Sequence, residues 1–155
     1  MPPLCLHVTA WPDPVVEGRG YPADSGFVEI FWLPLLGPAA TCLFRRLNLL
    51  LEGSPGGTTV EMNDLGRKLG LGTAESRHAP LPRAISRLVR FGLAKRSASG
   101  ALAVRRTAGA LSQHLLNGLP TEIQETYRSF LSRERVCDPG PPASVPSPTA
   151  DLTGD

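Results

Sequence analysis

Between Ala39 and Leu51 the apolar positions Ala39, Cys42, Leu43, Leu47, Leu50 and Leu51 recur at helical spacing, while Arg45, Arg46, Asn48 and Glu52 fall mostly elsewhere. Pro38 suits the first helical position, and Gly53, Pro55, Gly56 and Gly57 end the run. Thr58, Thr59 and Val60 are β-formers too few for a helix, so they predict one short strand. Asn63 or Asp64 then caps a second helix through Leu65, Leu69 and Leu71, stopped by Gly70 and Gly72. After a loop from Thr73 to Pro80 comes the clearest helix, Leu81 to Leu93. Leu93 to Arg106 reads as a hairpin: Leu102 and Val104 alternate with Ala103 and Arg105, and Ser97-Ala98-Ser99-Gly100 supplies the turn. Two helices close the pattern, Thr107 to Asn117 and Thr121 to Arg135, the second opening with a capping box from Thr121 to Gln124.

The ends lack such periodicity. Pro2, Pro3, Pro12, Pro14 and Pro22 interrupt residues 1–26, which are expected to be disordered or extended. Phe27, Val28, Ile30, Phe31 and Leu33 form a short apolar turn or helix that starts the folded region. The last segment, 136–155, is an acidic, Pro-rich tail that cannot bury enough apolar surface to offset its chain entropy. One domain over 27–135 is therefore expected, mainly α with a small β-hairpin wing.

Charge divides along the same boundaries. Fifteen of the 16 basic residues lie between Thr41 and Arg135, against seven carboxylates, so that stretch carries +8. The remainder holds Arg19 against seven carboxylates, a local −6 within an overall +2. A basic middle between acidic ends suggests a polyanionic partner. Cys5, Cys42 and Cys137 are too dispersed for a metal clip or a redox pair, and His7, His78 and His114 are equally scattered. The start, Met1 to Ala10, lacks the features of a signal peptide, and the most apolar stretch, Ile30 to Phe44, is too short for a membrane span. A cytoplasmic protein without membrane association is expected.

The order helix, strand, helix, helix, hairpin, helix is that of a winged helix-turn-helix. Leu65-Gly66-Arg67-Lys68-Leu69-Gly70-Leu71 resembles the supporting helix of winged-helix regulators, and Arg83 through Ala94 resembles their recognition helix running into the first wing strand. The resemblance, to small winged-helix proteins of GC-rich bacteria, covers about two thirds of the chain. It implies a DNA-binding role and no catalysis.

The residues agree with such a role. At about 100° per residue Arg83, Arg87 and Arg90 share one face of the third helix, with Ser86 beside them and Leu81, Ala84, Ile85, Leu88 and Phe91 opposite. Arginine on that face could pair bidentately with guanine or clamp a phosphate of double-stranded DNA. Lys95, Arg96, Arg105 and Arg106 at the base of the hairpin, and Arg67 and Lys68 on the second helix, are candidate phosphate contacts. The helix over 121–135 is expected to make a homodimer or to pack back onto Trp32 and Leu33. The alternative is a protein-interaction module without DNA binding, which the absence of Asn and Gln from the third helix favours. The glycine-rich run Gly53 to Gly57 lacks the Lys-Ser/Thr of a phosphate loop, and no catalytic set can be assembled. No cofactor or metal is expected.

Overall fold

The computed structural model describes residues 4–137. The chain through Pro120 forms one compact unit, and a second begins at Thr121. The first unit opens with strand β1, Cys5–Ala10, in which Leu6 and Val8 are buried while Cys5 and His7 face solvent. That alternation is the period of a half-buried strand. Helix α1, Pro14–Arg19, and the two-residue strand β2, Tyr21–Pro22, follow. A π-helical turn, Val28–Trp32, runs straight into helix α2, Leu33–Leu36.

Helix α3, Pro38–Gly53, is the longest of this unit and forms its centre. Gly37, at φ +81°, turns the chain from α2, and Pro38 supplies the pre-set φ of a first helical residue. Leu43, Phe44, Leu47 and Leu51 of α3 are buried in a core that also takes Val8, Phe31, Leu36, Leu81, Ile85, Leu88, Leu93 and Leu102. Each such side chain stabilises the fold by about 1.5–3 kcal/mol. Strand β3, Thr58–Glu61, leads directly into helix α4, Met62–Lys68. The cap of α4 is Glu61, whose carboxylate accepts from the N–H groups of Asn63 (3.1 Å) and Asp64 (2.7 Å). Asn63 serves instead to anchor the following loop, accepting from the N–H of Ala74 at 2.7 Å.

Helix α5, Pro80–Arg90, buries Leu81, Ala84, Ile85 and Leu88 against α3 and the sheet. Gly92, at φ +75°, closes it, with Leu93 N–H reaching back to Leu88 O at 3.0 Å and Gly92 N–H to Val89 O at 3.1 Å. Strands β4, Ala94–Arg96, and β5, Leu102–Val104, form the hairpin. Strand β6, Thr107–Ala108, and helix α6, Gln113–Asn117, complete the unit, and helix α7, Thr121–Cys137, belongs to the second.

The sheet overturns the expected mainly α winged helix-turn-helix with a small hairpin. It has four strands in the order β3-β1-β5-β4, and a separate two-stranded ribbon joins β2 to β6. Strand β1 lies between β3, to which it is antiparallel (Leu6 opposite Val60), and β5, to which it is parallel (Val8 opposite Leu102). The arrangement is therefore α/β with a mixed sheet. Residues expected to be disordered or extended at the N-terminus thus supply an inner strand. Two buried side chains between prolines are too short a pattern to signal it, and its partners lie some 50 and 90 positions away. The expected helix from Thr107 to Asn117 is likewise shorter, because Thr107 and Ala108 pair with Pro22 and Tyr21. The acidic tail from Asp138 lies outside the described residues.

Candidate nucleic-acid interface

The amphipathic pattern of α5 is realised in three dimensions. Arg83, Ser86, Arg87 and Arg90 are all exposed, on the side opposite the four buried apolar residues. No carboxylate lies on this helix. Arg83, Ser86 and Arg87 make no ion pair or hydrogen bond through their side chains among the described residues, and Arg90 lies at 6.0 Å from the Phe91 ring centroid.

Arg83 and Arg87 face the start of α3. Together with Leu36, Gly37, Pro38 and Pro80 they line a shallow groove of about 270 Å³. The Arg87 guanidinium comes close enough to Gly37 that a β-carbon there would stand 3.8 Å from Nη1. At this end of α3 the first-turn N–H groups of Ala39 and Ala40 have no acceptor within the helix, and the helix dipole adds positive potential. Two arginines and a helix N-terminus on one groove make a surface suited to phosphate. On its other flank α5 shares a cleft of about 450 Å³ with the hairpin, where Pro82 and Ile85 stand with Arg96 and Arg77.

The other candidate cations divide by their partners. Arg105 is a structural residue: its Nε donates to Gly92 O at 2.8 Å, its Nη1 to the Asp13 carboxylate at 2.8 Å, and its guanidinium stacks on Trp11 at 3.8 Å. Lys95 sits over the same ring at 4.5 Å and remains exposed. Arg106 is half-buried and donates from Nη1 to Asn48 O at 3.0 Å. Arg67 is exposed on α4. Lys68 pairs with Asp64 at 2.8 Å, and that hydrogen bond is the main reason the Asp64 carboxyl lies below its ordinary range. Of the sequence-predicted set, Arg83 and Arg87 share one groove and Arg96 lines the cleft on the other flank of α5, while Arg105 and Arg106 bond within the fold.

Lys68 and Arg106 belong to a second basic feature, a cleft of about 450 Å³ that also presents Arg45 and Arg46 of α3. These two arginines were not among the sequence candidates. The signal was legible in part, since Arg45, Arg46 and Glu52 fall away from the apolar stripe of α3, whereas Cys42, which sequence places on that stripe, is exposed beside them. Their meeting with Arg106 depends on the fold.

Among the described residues no group of three or more His, Cys, Asp or Glu side chains could hold a metal ion, and no helix is long and apolar enough to cross a membrane. The chain matches no protein-family model, no curated protein and no solved structure.

Proposed function

We propose that this protein binds double-stranded DNA through the exposed face of α5 and acts as a transcriptional regulator. The observation that carries the reading is the convergence of Arg83 and Arg87, with Ser86 and Arg90 beside them, on a face without carboxylates that borders the N-terminus of α3. An α-helix with its side chains is about 10–12 Å across, which matches the major groove of about 12 Å. Arg83, Arg87 and Arg90 reach guanine edges or phosphates, Ser86 contacts either, and Arg96 braces on the backbone from the hairpin flank. Arg105 bonds Gly92 O and Asp13 and Arg106 bonds Asn48 O, so both are assigned to holding the fold in this reading. Pairing of two chains through α7 would match the two half-sites that such proteins use for specificity. The role places the protein in the cytoplasm, where its dispersed thiols stay reduced.

Replacing Arg83, Arg87 and Arg90 together by Ala tests the reading. Duplex binding is expected to be abolished with the far-UV circular dichroism unchanged, and retained binding in a folded triple variant would refute it.

A further inference from the structure

The second basic cleft lies apart from the α5 face and has its own chemistry. Its walls are the polar side of α3, the Pro22–Asp24 segment, the end of α4 and Arg106. At about 450 Å³ it falls within the range of small-molecule sites, about 300–1,000 Å³.

Four cations line this cleft against two carboxylates, Asp24 and Glu52. Lys68 already pairs with Asp64 outside it, whereas Arg45 and Arg46 form no ion pair or hydrogen bond among the described residues. Unpaired guanidinium groups on a concave wall attract an anionic group that can accept two parallel N–H bonds. The same wall is apolar elsewhere. Leu49 lines it while 59% exposed, with Leu69 and Pro22 nearby. An exposed leucine beside arginines offers a seat for an apolar body attached to that anion.

The floor adds a third feature. Asn48 lines the cleft and is 6% exposed. Its Nδ2 donates to Phe44 O and to Arg105 O, both at 3.1 Å, and its buried Oδ1 has no partner among the described residues. That oxygen lies beneath the accessible surface of the cleft, where it belongs to the packing that holds the floor.

We propose that this cleft binds a small amphiphilic organic anion, with its acidic group on Arg45 and Arg46 and its apolar body on Leu49. This site stands independently of the duplex-binding surface. Its position ties it to the hairpin, because Asn48 and Arg106 join α3 to the segment after β5.

The test is a fluorescence titration of the full chain at low salt with 1-anilinonaphthalene-8-sulfonate, one sulfonate on an aromatic body. A saturable single-site rise is expected, weakened at least tenfold by Arg45→Ala with Arg46→Ala. A second variant, Leu49→Asp on an exposed position, should weaken it similarly. Arg83→Ala with Arg87→Ala and Arg90→Ala should leave it unchanged. A rise that never saturates, or an affinity unaltered in the folded Arg45/Arg46 and Leu49 variants, would overturn the site.

Discussion

Arg105 donates from Nη1 to the carboxylate of Asp13 at 2.8 Å across 92 positions of sequence. Its Nε holds the carbonyl of Gly92 at the end of α5, and its guanidinium covers Trp11. One side chain therefore ties the N-terminal segment, the hairpin and the end of α5 together. A residue that reads from sequence as a phosphate contact uses its Nε and Nη1 within the fold.

Arg105→Ala should accordingly act on stability. Both side chains are partly buried, 18% and 31% exposed, and removing the guanidinium takes one donor from Asp13 and one from Gly92 O. A loss of about 1–3 kcal/mol is expected in urea unfolding followed by tryptophan fluorescence. Duplex affinity measured on the folded protein should keep its salt dependence. A stability change near zero, with a shallower salt slope, would place Arg105 on the DNA surface instead.

Val8 makes the second case. It is fully buried on β1, between β3 and β5. Val8→Ala should cost on the order of 2 kcal/mol, as a truncation in a packed core does. An unstructured N-terminus would instead give a change within about 0.5 kcal/mol, as at an exposed position. Chemical denaturation of the two proteins separates these outcomes.

Gly66 offers a test of the α4 region. A β-carbon there would collide with the carbonyl oxygen of Gly72, where the loop after α4 folds back and Leu71 N–H bonds Gly66 O at 2.7 Å. Gly66→Ala should destabilise by about 1–3 kcal/mol through overpacking, although alanine is the better helix former. A thermal midpoint at or above the wild-type value would show that the loop is not packed this closely.

Local signals were legible where one element declares itself. The stripe of Leu81, Ala84, Ile85 and Leu88 with its arginine front predicted α5, and the turn at Ser97 to Gly100 predicted the hairpin, now seen as β4 and β5. Strand β1 was not legible, because Leu6 and Val8 acquire meaning only from Val60 and Leu102, which sequence order does not bring near. The same holds for the cations. Exposure of Arg83, Arg87 and Arg90 follows from helical period, while the inward commitment of Arg105 requires Asp13 and Trp11. The cleft of Arg45 and Arg46 needed Arg106, some 60 positions later, to close it.

Each of the three α5 arginines should contribute separately to the electrostatic footprint. Single substitutions to Ala are expected to reduce the salt slope of duplex binding by about one unit where the arginine meets a phosphate. Where it reads a base, the loss should be about 1–3 kcal/mol and confined to one sequence position. Arg67→Ala and Lys68→Ala, outside the groove of Arg83 and Arg87, should do neither. A slope that falls equally for all five would mean a diffuse basic surface rather than an α5 site.

The most direct measurement is fluorescence anisotropy of a labelled random duplex titrated with the full chain over a salt series. With Arg83, Arg87, Arg90 and Arg96 displacing counterions at three or four phosphates, log affinity should fall against log salt with a slope of about −3 to −4. No binding even at low salt would contradict duplex recognition by α5.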